Sequence, residues 1–541
     1  MKRKLSLLVS VALPWMMLAA SMEDVSYAIL KGEVILGICA EEAQGELVIP
    51  DELDGYPVTK IADGAFSQCD GLTAIRLPKG LQQIGNSVFY GTRNLPVDEA
   101  GFQYESAEKR ILLRAPRSLK GHYTVCESVQ FIGENAFENC TDLTSITLPK
   151  QLLGIGAFAF ARCERLEKIE IPESVQSIGL YAFFACRALR FARLPQHHRA
   201  LGDKLFANCE ALEEVILPTQ LQEVPFGCFE RCDSLKKITL PETLQVIETY
   251  AFLECSALTT LALPNTLKGI GSGAFSGCEA LSLSTFPTQL EWLGADSFGN
   301  VKRFVDVDGA EYESPAKVIL FRAPKKTEGK AIEIPASVRF ICGAFEEWED
   351  LETITIPEGV IEIHDGAFAN CKQLRSVTLP ESLKRIGDES FKGCSSLTSI
   401  TIPQGVVRIG EEAFTGCSSL SSIVIPQGVT VIESEAFAKC SQLERVVILG
   451  GNVELKWGAF DETSLKEIYF GNRPPQMAWE EIVDSFPQPT DASVVKGYYS
   501  AAYERYWKQC LDADQIWRGL EMHCLPQINA NQGVTQDEER F

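Results

Sequence analysis

Phenylalanine returns at a fixed interval of 23 residues through most of this chain, and no other feature restricts its fold so severely. It stands at Phe66 and Phe89, then at Phe137, Phe160, Phe183, Phe206, Phe229, Phe252, Phe275 and Phe298, and again at Phe345, Phe368, Phe391, Phe414, Phe437 and Phe460. The unit from Cys140 to Cys163 supplies the rest of the pattern. Leu143, Ile146 and Leu148 mark a short strand with inward apolar positions, Pro149 ends it, and Leu152, Ile155 and Gly156 form a second extended piece before the Ala159-Phe160 corner. Proline closes a strand because it has no N–H to give to the ladder. A unit this short cannot bury its apolar face alone, so neighbouring units must stack and share one core. The pattern therefore predicts a solenoid of stacked 23-residue coils, with a parallel β-sheet on one face, few regular helices and capped ends.

Two stretches, near 91–130 and 300–339, break the period in the same way. Both hold Tyr-Glu-Ser followed by an apolar strand ending Arg-Ala-Pro: Tyr104, Glu105, Ser106 with Arg114, Ala115, Pro116, and Tyr312, Glu313, Ser314 with Arg322, Ala323, Pro324. They read as longer variant coils, the mark of a partial internal duplication, because the phenylalanine register resumes after each. The whole solenoid is expected over 22–471, with the strand-like Glu33 to Cys39 covering the first coil. Residues 472–527 form a C-terminal cap with a short amphipathic helix from Ser500 to Leu511, and 528–541 a flexible polar tail. Residues 1–21 read as a signal peptide: Lys2, Arg3 and Lys4 precede an apolar run from Leu5 to Ala20 that Pro14 breaks and that is too short to span a bilayer. The mature chain is expected to carry no integral membrane segment.

Composition narrows the function. A formal net charge of -23 opposes association with nucleic acid or anionic lipid. Twelve of the 18 cysteines fall three residues after a repeat phenylalanine, from Cys69 and Cys140 to Cys440. Export permits a ladder of disulfides there, but a column of buried free thiols is the stronger reading, since Thr92, Val301, Trp348 and Thr463 take the same place in other coils. One sulfur per coil, with no interleaved histidine, lacks the paired spacing of a zinc site. Cys510 and Cys524 are the expected disulfide of the cap. The five histidines belong to no motif, and His197 with His198 reads as a solvated turn. No nucleophile elbow, metalloprotease helix or phosphate loop is present, so neither an enzyme nor a cofactor is indicated.

The column pattern Cys-x-x-Leu-x-x-Ile-x-Leu-Pro-x-x-Leu-x-x-Ile-Gly-x-x-Ala-Phe resembles the BspA-like, or Treponema pallidum type, leucine-rich repeats of bacterial surface proteins. It recurs in register, for example over Cys371 to Phe391 and Cys394 to Phe414, and Ile49, Pro50, Gly55, Tyr56, Pro57, Val58, Ile61 and Ala65 are similar to that family's entry coil. The resemblance implies a leucine-rich-repeat solenoid that is secreted or held at the cell surface, and an adhesin as one use of it. It assigns no ligand and no site residue. The expected partner is an extracellular protein or glycan, with oligomeric state left open, and the alternative is a structural envelope or matrix spacer.

A candidate binding face follows from strand alternation, because the residues flanking the central apolar position of each first strand face outward. In the C-terminal array these are bland: Thr353 and Thr355, Ser376 and Thr378, Ser399 and Thr401. In the middle of the chain they become Lys168 and Glu170, Phe191 and Arg193, Glu214 and Ile216, a mixture typical of protein interfaces, with neutral drift of a repeat surface as the competing reading of equal weight. Arg445, Val447, Glu467 and Tyr469 form a second candidate, and the loops at Tyr104 and Tyr312 a third.

Overall fold

The structure is a computed structural model that describes residues 20–283, 285–324, 332–451, 453–472, 476–477, 495–500, 502, 504–507, 516–517 and 520–525. Most of the expected leader, Cys510 of the expected disulfide and the tail at 528–541 lie outside the described residues. The chain is a β-solenoid almost without helix, and it divides into two compact units. The first holds Met1–Leu281 and Asp296–Val301, the second Ser282–Ala295 and Lys302–Phe541.

Most regular coils offer one strand to each of two parallel sheets. In the first unit one sheet runs through Gly121–Thr124, Leu143–Thr147, Lys168–Glu170, Phe191–Arg193 and Glu214–Ile216. Its register advances by one repeat per coil, so that Lys168 lies opposite Phe191 and Phe191 opposite Glu214. The second pieces of the coils, such as Phe131–Ile132, Gly154–Ile155 and Ser177–Ile178, pair in the same way. In the second unit Thr353–Thr355, Ser376–Thr378 and Ser399–Ile400 form the first sheet, and a ten-stranded sheet runs from Phe304–Val305 to Gln476–Met477.

The repeat phenylalanines are the spine of both cores. Phe137, Phe160 and Phe183 stack nearly parallel with centroids 5.0 and 5.2 Å apart, and Phe368, Phe391 and Phe414 at 5.1 and 5.2 Å. The side chains of these six are fully buried, each a gain of about 1.5–3 kcal/mol over exposure. Two residues before each phenylalanine the backbone turns through the left-handed region, which glycine enters at no steric cost, as at Gly64 (φ 65) and Gly366 (φ 64). Three residues after it, the cysteine thiol donates to the phenylalanine carbonyl of the preceding coil. Cys163 Sγ lies 3.2 Å from Phe137 O, Cys186 Sγ 3.1 Å from Phe160 O and Cys394 Sγ 3.2 Å from Phe368 O. Thr92 takes the same place and gives the same bond to Phe66 O. Among the described cysteines none is disulfide-bonded, and burial pushes the thiols of Cys140 and Cys371 up to about 11, so the column is neutral packing with a weak donor.

The variant coils replace the corner with a device the sequence does not announce. Glu105 is buried and its carboxylate accepts from the backbone N–H of Arg110 (2.9 Å) and Ile111 (2.7 Å) and from the Ser106 hydroxyl (3.0 Å). Glu313 repeats this with Val318 (2.9 Å), Ile319 (2.7 Å) and Ser314 (2.8 Å). Each carboxylate thus satisfies donors at the start of a strand. Tyr104 and Tyr312, expected on protruding loops, are instead buried, each beneath a lysine ammonium 4.7 or 4.9 Å from its ring. Those lysines are held by Asp98 and Asp306, both at 2.8 Å.

At the N-terminal end β1 (Val25–Leu30) and β2 (Glu33–Cys39) form a hairpin whose second strand pairs with Tyr56–Ile61, as a cap over the first coil requires. At the other end Lys496–Ser500 extends the sheet beside Glu467–Phe470, and Trp507 is fully buried against Phe470 and Tyr499. The helix described there is a single turn, Glu504–Trp507, within the longer one expected. His198 also departs from expectation. It is buried, with Nε2 2.8 Å from Val175 O, and desolvation holds its pKa below the ordinary value, while His197 beside it is exposed.

Candidate binding face

Strand alternation in the first unit puts Ile169, Ala192 and Val215 into the core and their flanking residues outside. Lys168, Glu170, Arg193 and Glu214 are exposed, and Phe191 and Ile216 are half-buried. The parallel register brings all six side by side over three adjacent coils. Lys168 lies 2.5 Å from Glu170 and 5.0 Å from the Phe191 ring centre, so one ammonium joins an ion pair and a cation–π contact. The hydrogen bond from Lys168 holds the Glu170 carboxyl below its ordinary pKa. Around this centre run exposed pairs, Arg165–Asp142, Arg187–Glu210 and Arg190–Glu213, at 3.5, 3.3 and 3.2 Å. Such pairs add little stability but give the face a patterned charge.

A groove of 590 Å³ opens beside Glu214 and Ile216, lined also by Pro218, Lys237 and Thr239. Strand pairing in the first sheet stops beside it, after Glu214–Ile216, and in the following coils Lys237 makes only an isolated bridge to Thr260. Nothing in the repeat pattern marks this interruption. The second candidate is more closed upon itself: Arg445 pairs with Glu467 at 3.1 Å, and Tyr469 stacks on Tyr498 at 4.6 Å.

Sequence reasoning missed a further surface at the corner of the coils. Phe158 and Tyr181 stack at 4.7 Å, and Lys204 lies 5.2 Å over Phe226, beside the exposed Leu180 and Tyr250. Phe158, Tyr181 and Tyr250 have φ of 54, 56 and 59°, a backbone region that bulky residues rarely enter. The signal in the sequence was an aromatic where sister coils place glycine, such as Gly227 and Gly273.

Among the described residues no group of three or more histidines, cysteines or carboxylates could hold a metal ion, and no helix is long and apolar enough to cross a membrane.

These coils define the class: a leucine-rich-repeat β-solenoid whose outward strand positions are free to vary. The profile of the BspA type leucine rich repeat region matches the chain in six copies, at residues 46–99, 121–236, 199–310, 222–342, 317–385 and 362–475. The chain belongs to that family. Among solved structures it is similar to a leucine-rich repeat protein of Bacteroides ovatus, at 26% identity over 82% of this chain and 93% of that one, with a TM-score of 0.27. It is similar also to a leucine rich cell surface protein of Faecalibacterium prausnitzii (24%, 87% and 97%, TM-score 0.23) and to the T. pallidum leucine rich repeat protein (28%, 39% and 88%, TM-score 0.23). No curated protein matches the sequence.

Proposed function

We propose that this protein is exported, loses the leader at 1–21, and binds an extracellular protein or glycan as an adhesin, with no catalytic role. Lys168, Glu170, Phe191, Arg193, Glu214 and Ile216 form the binding face on this reading. One observation carries it: positions that hold only Ser and Thr from Thr353 to Thr401 in the second unit hold an aromatic, an aliphatic and alternating charges here, next to a groove. A repeat family used at bacterial surfaces for binding supports the same reading, though it names no partner. The test is an array of extracellular proteins, glycans and envelope fragments probed with the exported protein at physiological salt. Saturable binding that Phe191→Ala with Arg193→Ala weakens at least about tenfold, or 1.4 kcal/mol, supports the face. Unchanged affinity removes it, and a blank array together with assembly into long polymers favours a structural spacer instead.

A further inference from the structure

The N-terminal cap leaves one strand edge bare. Its sheet runs β1, β2, Tyr56–Ile61, Glu52–Leu53, so β1 is outermost, and no described residue pairs with its outer side. Lys31 and Gly32 form a two-residue hairpin loop with φ of 54 and 82°, the pattern of a type I′ turn, which makes Leu30 and Glu33 the hydrogen-bonded closing pair. Antiparallel alternation then aims the backbone groups of Leu30 and Ala28 at β2, and those of Ile29 and Tyr27 away from it.

Sheets usually guard such edges with short strands, charge or proline. On the far side Tyr56–Ile61 is covered by Gln83–Ile84 of the next coil and by Glu52–Leu53, which is two residues long and carries a glutamate. β1 is six residues long, with neither charge nor proline. Tyr27, Ile29 and Leu30 on it are 38, 42 and 58% exposed, beside Ile38 on β2 at 69%.

We propose that β1 pairs antiparallel with β1 of a second copy of this chain, about a two-fold axis through Ala28. Three features select a second copy. The outward bonding groups sit on Tyr27 and Ile29, so pairing Tyr27 with the second copy's Ile29, and the reverse, satisfies both residues in both chains. That register sets Ala28 opposite itself at the close position, where Cα atoms approach to about 4.5 Å and a methyl fits. The same register sets Lys31 opposite the second copy's Val25 at each end, and the whole paired strand Val25–Leu30 is uncharged. Two chains that each carry a net charge of -23 therefore meet where their repulsion is least. A single strand pairing buries less than the roughly 1,200 Å² of a stable interface, so the dimer is weak and concentration-dependent. The inference does not depend on the proposed binding face.

Sedimentation velocity of the exported protein from about 1 μM to 1 mM tests it. Mass is expected to rise toward twice that of the monomer, and Ile29→Lys and Ile29→Pro are each expected to weaken association at least about tenfold. The proline removes only an outward N–H, and should it unfold the cap, the lysine at an exposed position still decides. Ala28→Cys is expected to give a disulfide-linked dimer under oxidation, in excess of the wild-type background and of Leu30→Cys. A monomer throughout, a dimer indifferent to both Ile29 variants, assembly beyond two copies, or equal cross-linking at positions 28 and 30 would overturn the proposal.

Discussion

Lys168, Glu170, Phe191, Arg193, Glu214 and Ile216 occupy in the first unit the positions that Thr353, Thr355, Ser376, Thr378, Ser399 and Thr401 occupy in the second. Beneath them the two units are nearly interchangeable. Ile169, Ala192 and Val215 answer to Ile354, Val377 and Ile400, all buried, and the phenylalanine stack keeps its spacing in both. Packing dictates the inner positions, since a solenoid core tolerates neither cavities nor excess volume. The outer positions are released from that demand, and the contrast there between hydroxyls and a charged aromatic cluster is what the proposed binding face rests on.

The sharpest way to break this comparison is to attack the part held to be common. Phe206→Ala and Phe391→Ala should each cost about 3–5 kcal/mol, read as a fall in the urea midpoint, because each removes a ring packed between two others. A large loss in one unit and a small one in the other would show that the cores are not equivalent. Next come the variant coils. Glu105→Ala and Glu313→Ala each strand two backbone donors, at about 1–3 kcal/mol per donor, and the two losses should match because the hydrogen bonds match to about 0.2 Å.

A smaller effect, confined to the outer positions, should separate the units. Phe191→Ala with Arg193→Ala is expected to lower ligand affinity at least about tenfold with less than about 1 kcal/mol change in stability. Ser376→Ala with Thr378→Ala should alter neither. Equal losses of affinity from both pairs would mean that the whole repeat face binds and that the contrast is irrelevant.

How far the sequence could anticipate all this depends on whether a residue's role repeats. The phenylalanine and cysteine columns were legible because the same contact recurs in coil after coil. The Tyr-Glu-Ser pair was legible as a duplication but not as a carboxylate cap, since bonds from Glu105 to the N–H of Arg110 and Ile111 depend on a fold-back that no periodicity encodes. For the same reason Tyr104 and Tyr312 were expected outside and lie within. His198 looked solvated because its neighbours in other coils are polar turn residues, yet its ring reaches Val175 O across one coil. On the candidate face alternation expected all six of Lys168 to Ile216 outward, whereas Phe191 and Ile216 are half-buried and only the other four are exposed, and the groove beside Lys237 left no trace in composition.

The second sheets differ as well, and here the expected effect is smallest but its sign is definite. In the first unit that sheet presents Phe131, Gly154 and Ser177 in successive coils, in the second Phe340, Glu362 and Arg385. Glu362 and His364 are buried 3.6 Å apart, with Arg385 2.8 Å from Glu362. Desolvation raises Glu362 to about 7 despite Arg385, and desolvation, aided by the Arg385 charge, lowers His364 to about 3. The raised carboxyl contributes stability that is complete below its unfolded pKa and is lost as pH climbs through about 7. The depressed imidazole contributes stability that is complete above its unfolded pKa and declines as pH falls from there toward about 3. The two slopes oppose between the unfolded carboxyl and imidazole values, near 4.5 and 6.5, and only the carboxyl acts from there to neutrality. Glu362→Gln, which keeps the shape and removes the titration, should therefore flatten the loss of stability from pH 6.5 upward and leave a steeper loss on the acid side. Thermal melts of both proteins from pH 5 to 8 would measure this. Parallel curves would mean that Arg385 keeps Glu362 ionised throughout, and the second sheets of the two units would then differ in composition without differing in response to pH.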